Sequence, residues 1–297
     1  MEQTNIKTGK GFRIFTYLFL AVISLAAILP ILLIFIASFT SEDALVLEGY
    51  RFFPSKLSAE AYIYIISQSS RMLRSYGVSI LVTALGTLFS VFLSVMFAYP
   101  LSRSDFKFRN HFAFFIFFTM LFNGGIVPSY IMWTQFFHIK DTLFALIIPN
   151  YLMSAFNVLL VRNYFKNNIP ESLLESAKID GASEWMVFFR IMLPLSVPVI
   201  ATIALFIGLT YWNDWINGLY YLTSPKLYSI QNLLIQMMDN IQFLNSGAAA
   251  GIIGAVKLPS TAVRMAMGVV GIVPVLLIYP FIQKYLIRGT VIGAVKG

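Results

Sequence analysis

The chain has 297 residues, of which 58% are hydrophobic and 11% charged, with 28 phenylalanines and a mean hydropathy of +0.78. Soluble domains run near ~45–50% apolar and ~25% charged, so there are too few charges here to cover a water-facing globule. This excludes an ordinary soluble enzyme, a disordered tail and a coiled coil. It leaves an all-α integral membrane protein.

At ~20 residues per span, the length accommodates six transmembrane helices in a single domain over residues 1–297. Cysteine is absent and histidine occurs twice, at His111 and His138, so no disulfide, thiolate metal site or cysteine nucleophile is available. The net charge of +8 marks the loops of a membrane protein rather than a nucleic-acid binder.

The first apolar run is Phe15–Phe39, broken by Pro30. It exceeds the ~7–15-residue core of a signal peptide and is expected to be a retained span. Further spans are expected near Tyr76–Tyr99, Phe112–Phe137, Leu143–Val161, Pro198–Leu222 and Met265–Tyr285. The third crosses Asn123-Gly124-Gly125 and Pro128. One alternate set of connecting segments carries 13 of the 21 lysines and arginines, including Lys7, Lys10, Arg13, Arg103, Lys107 and Arg109. The positive-inside tendency puts that set, and both termini, in the cytoplasm of a multi-pass cell-membrane protein. The outer segments are then about residues 40–75, 139–142 and 223–264, none of which reads as a separate domain.

Chemistry is sparse. There is no G-x-x-x-x-G-K-[ST] phosphate loop and no H-E-x-x-H, and no partnered nucleophile and base stands out. No catalytic, cofactor or metal residue is assigned. The informative stretch is the loop at about residues 166–195. Pro170 suits the first position of a helix and Glu171 its first turn. A short amphipathic helix over 170–179 is broken by Asp180-Gly181. Ser183 then caps a second helix, and Pro194 ends that helix or hinges it into the fifth span. The four acids Glu171, Glu175, Asp180 and Glu184 nearly cancel the local bases, so this hairpin favours a protein partner over an anionic lipid surface.

The run Glu175-x-Ala177-x-x-Asp180-Gly181-Ala182, followed by Phe188 and Ile191-x-Leu193-Pro194, resembles the EAA motif of ABC importer permeases. Ser176 stands where that motif has its first alanine. The end of the chain, Tyr279 to Gly297, resembles the tail of carbohydrate-uptake permeases of the maltose-transporter type, and Tyr211-Trp212-Asn213-Asp214-Trp215 resembles their aromatic–Asn–acid stretch. The likeness covers essentially the whole chain. It is nearest to the subgroup serving aldouronate, rhamnogalacturonan and alginate fragments.

The resemblance implies a type I importer permease fold with a cytoplasmic coupling loop. It implies a second homologous permease, two ATPase subunits that bind ATP and Mg, an extracytoplasmic solute-binding protein and an oligosaccharide substrate. ATPase-coupling roles fall on Glu175, Ala177, Asp180, Gly181, Ala182, Ile191, Leu193 and Pro194. Glu175 would face a basic residue of the ATPase, and Gly293, Ala294 and Lys296 of the tail (286–297) would contact it too. The competing reading pairs Glu175 with Lys178 on a solvated helix face. With three glycines, the tail is expected to be a poor helix.

Asp214 is the acid within an apolar span. It lines the substrate path with Tyr211, Trp212, Asn213 and Trp215, or it lies at the outer interface with the tryptophans in the aromatic belt. Asn123, Asn150 and Asn157 are weaker pathway candidates, because amides also hold helices together. The alternatives are a permease of the same class for another small solute, or an ion-coupled secondary transporter. Against the latter stand the single intramembrane acid and the lack of an inverted repeat.

Overall fold

Hydropathy dictates the first element. Helix α1, Lys10–Ser38, is apolar all round and passes through Pro30 without a break; only Ala37 and Ser38 are buried by the rest of the chain. Such a helix suits lipid or partner helices on every side. The structure is a computed structural model describing residues 10–149, 151–245 and 260–294. The described residues are helical apart from turns, loops and one isolated antiparallel bridge, Thr40–Leu57. The Cα framework divides into two units, residues 1–69 with 237–273 and residues 70–236 with 274–297.

In the first unit, α2 (Glu42–Glu48) is capped by Ser41, which accepts from the Ala44 N–H, and α3 (Glu60–Ser67) follows. The Glu42 carboxylate accepts from the Thr261 and Ala262 N–H groups at 2.9–3.0 Å. These are among the donors that a helix start leaves orphaned. A carboxylate there also complements the helix dipole.

The second unit is organised on α4, Ser69–Ser102. Its buried face carries Ser75, Ser79, Gly86, Ser90, Ser94 and Ala98, small residues that let other helices approach closely. Ser79 Oγ accepts from the Ile230 N–H at 2.8 Å, and Ser90 Oγ donates to the Tyr151 carbonyl at 3.1 Å. Ala98 and Leu101 from this helix join Val158, Val161, Phe165, Ile203 and Ile207 in the apolar core of the unit.

Several expected spans are broken. The third becomes α5 (Arg109–Leu121) and α6 (Ile126–Ile131), the latter widening into a π-helical turn at Met132–Phe136; the two arms bend by 111°. Asn123 Oδ1 accepts from the Gly125 N–H, and Gly125 has φ +85°, so local turn chemistry overrides the apolar run. The fourth is split into α7 (Phe144–Ile147) and α8 (Ala155–Asn168); Asn150 lies outside the described residues. The fifth ends early: α12, Val197–Trp212, stops before Asn213–Trp215, and α13, Ile216–Tyr221, follows.

A sixteen-residue helix, α14 (Ile230–Asn245), occupies what the sequence reads as an outer loop. The last helix, α15, runs from Ser260 to Ala294, so the backbone stays helical past Gly289 and Gly293, contrary to the expected poor helix. Among the described residues, three unbroken helices are long and apolar enough to cross a membrane, Lys10–Ser38, Ser69–Ser102 and Thr261–Pro280. The number is five if each bent pair counts as one.

Candidate functional site

The expected hairpin forms from α9 (Glu171–Ile179), α10 (Glu184–Val187), a π-helical turn at Phe188–Met192 and α11 (Leu193–Leu195), all before α12. Pro170 occupies the cap position, one residue earlier than expected. After α9, the Ala182 N–H reaches the Ala177 carbonyl at 2.9 Å and the Gly181 N–H the Lys178 carbonyl at 3.0 Å. This is a Schellman motif, with Gly181 at φ +80° in the left-handed position. Ser183 caps α10 by accepting from the Met186 N–H.

Pro194 has no N–H and crowds the carbonyl four residues back. The widened turn at Phe188–Met192 precedes it, and the chain then bends by 78° into α12. Leu174, Val187, Phe188 and Met192 are buried, and Ala177, Ala182, Ile191 and Leu193 pack half-buried against the same core. Outward face Glu175, Asp180, Gly181 and Pro194, beside Ile179 (86% exposed) and Trp185 (59% exposed).

A polar network joins this hairpin to the Ser102 end of α4. Lys178 Nζ donates to Asp105 Oδ2 at 2.7 Å and to Glu184 Oε1 at 2.8 Å. Arg103 Nη2 donates to the same Asp105 oxygen at 3.2 Å. The Tyr99 hydroxyl donates to Glu184 and the Ser104 hydroxyl to Glu171. The Lys178 hydrogen bond holds the Asp105 carboxyl below the usual carboxylate range, and the Asp105 bond in turn raises Lys178. Lys178 is therefore engaged away from Glu175. Among the described residues, neither Glu175 nor Asp180 has an ion-pair partner.

The aromatic–Asn–acid stretch is built differently. Tyr211 is buried, donates to the Ile147 carbonyl at 2.8 Å, and lies against Gly86, where an added Cβ would fall 2.5 Å from its ring. Trp212 is buried with its ring 6.3 Å from that of Tyr76. Asp214 is only 6% exposed. Its Oδ1 accepts from the Ile216 N–H at 3.0 Å, the Asn217 N–H at 3.2 Å and the Tyr151 hydroxyl at 3.2 Å. Asp214 thus caps α13. Asn213 and Trp215 remain exposed.

Two hollows of mixed polar and apolar lining flank the stretch. One of about 330 Å³ is lined by Tyr151, Thr210, Asn213, Asp214 and Trp215. The other, of about 280 Å³, is lined by Tyr151, Ser154, Asn157 and Thr210, among others. Asn157 is 7% exposed and its amide has no hydrogen-bond partner among the described residues. Asn123 is exposed at the break before α6, and its carbonyl is taken by the Gly125 turn. Gly293 and Ala294 lie in the last turn of α15, and Lys296 falls outside the described residues.

A family model described as binding-protein-dependent transport system inner membrane component matches residues 5–292. The chain belongs to this family of transport permeases. It is 39% identical over 293 residues to YtcP of Bacillus subtilis, a polygalacturonan/rhamnogalacturonan transport system permease protein, covering 96% of this chain and 98% of YtcP. It is 37% identical to LplC of the same organism, covering 99% of this chain and 97% of LplC. Its fold matches a chain in the crystal structure of a bacterial ABC transporter involved in the import of the acidic polysaccharide alginate. That match has a TM-score of 0.75 and 29% identity and covers 96% of this chain and 99% of the other. The fold is thus that of a type I ABC importer permease.

Sequence reasoning missed several residues of this permease. Asp105 and Tyr99 meet the hairpin across 73 and 85 positions, which no local pattern signals. Asn217 and Asn232 support the Asp214 cap: Asn217 Nδ2 donates to the Pro149 carbonyl at 3.1 Å and Asn232 Nδ2 to the Trp215 carbonyl at 2.7 Å. An amide within an apolar run was the available signal for Asn217.

Proposed function

We propose that this permease imports oligosaccharides, forms half of a translocation pathway with a second homologous permease, and couples it to ATP hydrolysis on two separate ATPase subunits through the 171–195 hairpin. In this reading both termini and the hairpin are cytoplasmic, and an extracytoplasmic binding protein delivers the sugar. The observation that carries it is the outward face of the hairpin. Glu175 and Asp180, which have no ion-pair partner among the described residues, are exposed, as are Ile179 and Trp185, on a scaffold fixed by the Schellman turn and the Ser183 cap. A mixed apolar and acidic knob of this kind suits a cleft with a basic wall on a protein. The sugar reading rests on the names of the relatives YtcP and the alginate transporter.

Within the pathway, Asn157, Asn213 and Trp215 are the groups offered to a sugar, whereas Tyr211, Trp212 and Asp214 position the segment that presents them. The capped state of Asp214 argues against its use as an ion-coupling acid, and so against the ion-coupled alternative. Gly293, Ala294 and Lys296 at the end of α15 contact the ATPase pair in the same reading. Deleting residues 293–297 then lowers sugar-stimulated ATP hydrolysis by the reconstituted complex. Equal rates would make the tail a bystander.

The deciding test is Glu175→Lys in the reconstituted complex. Reversing a charge in a desolvated contact costs about 2–5 kcal/mol, so uptake should fall at least ~10-fold while the protein remains in the membrane. Undiminished uptake with normal ATPase co-purification would overturn the coupling role.

A further inference from the structure

The hairpin has one covalent route into the rest of the permease beyond it, and that route is bent. Between Leu195 and α12 the chain turns by 78°, just after a π-helical turn. A push delivered along it reaches α12 through a hinge. Besides its apolar packing on the core, the hairpin has a polar attachment made by side chains. Glu171, Lys178 and Glu184 hold Ser104, Asp105 and Tyr99, while the ring of Phe188 packs on Tyr99 at 5.2 Å. The receiving segment is itself held: Arg162 Nε donates to the Leu101 carbonyl at 3.0 Å, and Arg109 Nη1 to the Arg103 carbonyl at 3.1 Å.

We propose that Lys178, Asp105 and Glu184 are positioning residues that bind the hairpin and the Ser102 end of α4 into one body, so that a stroke at the hairpin moves α4 together with α12. The inference rests on the coupling reading given above. Further along, the same two helices lie side by side, a Cβ at Gly208 of α12 falling 3.4 Å from Thr87 Oγ1 of α4, and together with Val275, Ile278 and Tyr279 of α15 they line one apolar hollow of about 620 Å³. A stroke reaching α12 alone would slide Gly208 past Thr87 and shear that lining. A stroke reaching both carries the two helices together. A single exposed ion pair would be a weak tie. Here Lys178 bridges two carboxylates and Asp105 accepts from two cations, so each charge is oriented by more than one partner.

The chain contains no cysteine, so an introduced pair provides its only thiols. Ser104→Cys with Glu171→Cys, joined by a short bifunctional thiol reagent in the assembled transporter, replaces the polar tie by a covalent one. Uptake within about twofold of the unjoined pair is expected, since in this proposal the two segments never part. Loss of uptake on joining, reversed by a cleavable reagent, would overturn it.

In parallel, Lys178→Met should lower sugar transported per ATP hydrolysed about threefold, the scale of a partly exposed ion-pair network, with assembly and ATP hydrolysis retained. Lys178→Arg, which keeps two-sided donation, should restore the ratio, whereas a merely structural defect would lower yield and leave the ratio unchanged. An unchanged ratio in Lys178→Met, where Glu175→Lys does uncouple, would refute this tie alone. An inert Glu175→Lys would instead remove the coupling reading beneath it.

Discussion

The hairpin of residues 171–195 and the stretch Tyr211–Trp215 both place acids beside aromatic rings, and they use them in opposite ways. In the hairpin, Glu175 and Asp180 face outward without an ion-pair partner among the described residues, next to exposed Ile179 and Trp185. In the stretch, the one acid is buried and accepts three hydrogen bonds, and Tyr211 and Trp212 are buried with it. Residue type alone would rank Asp214 as the functional acid, because a carboxylate among apolar residues is costly. The cost is met locally by a helix start that needs an acceptor. Asp214 already has partners for its oxygen, whereas Glu175 and Asp180 have no ion-pair partner among the described residues, which is why the coupling reading falls on the hairpin acids.

The sharpest way to break this contrast is Gly218→Val. An added Cβ at Gly218 would fall 2.0 Å from Asn232 Oδ1, and Asn232 holds the Trp215 carbonyl. Forcing atoms into so tight a site should cost about 3 kcal/mol, read as lost yield and a lower thermal midpoint of the purified complex. Wild-type yield would mean that the stretch is looser than its hydrogen bonds imply.

Next comes Asp214→Leu, which strips the acceptor from Tyr151, Ile216 and Asn217. Unpaired buried donors and a lost cap together should cost about 2–3 kcal/mol. Asp214→Asn keeps an acceptor and should retain most stability and uptake. A stable Asp214→Asn protein without uptake would return Asp214 to the substrate site.

On the other side of the contrast, Gly181 has φ +80° but nothing within 4 Å of its would-be Cβ. Gly181→Ala should therefore cost only the backbone strain, about 1 kcal/mol, with Gly181→Val worse because its β-branch stiffens the backbone further. Uptake in Gly181→Ala should be reduced less than in Glu175→Lys. A larger loss would place a partner surface directly against residue 181.

Much of the hairpin was legible because its rules act over a few residues. Ser183 as a cap, the break at Asp180-Gly181 and the kink before α12 follow from side-chain size and backbone preference. The tie from Lys178 to Asp105 spans 73 positions and was illegible. In its place, the helical spacing of Glu175 and Lys178 suggested a pair that the structure does not form. The breaks in the expected spans were misjudged for a different reason. Hydropathy averages over polar turns, so Asn123-Gly124-Gly125 vanished inside a phenylalanine-rich run. Helix α14 was missed because Gln231, Asn232, Asp239 and Asn240 lower its hydropathy. Yet Ile230, Leu233, Leu234, Met237 and Ile241 are buried at helical spacing, which was visible as period. The helical tail shows the converse: two glycines at the end of a 35-residue helix did not stop its propagation.

The smallest expected effect concerns pH and tests whether the tie between hairpin and α4 is the ionic one described. Asp105 is held below its usual value of 3.8 by Lys178, so its contribution is complete above that value and is lost only as pH falls through the lowered one. Lys178 is raised above its usual 10.5 by Asp105 and Glu184, so its contribution is complete below that value and is lost only as pH rises through the raised one. Both charges are therefore in place across the whole interval between. Transport per ATP of the wild type, divided by that of Asp105→Asn, should stay constant from pH ~5.5 to ~8.5, well inside the carboxylate and ammonium limits. Dividing by the variant removes the pH response of the ATPase itself. Both partners are partly exposed, so the ratio should sit only modestly above one and shrink as salt screens the pair. A ratio that collapses within this interval would mean that a group titrating near neutrality, and not Asp105 with Lys178, holds the hairpin to α4.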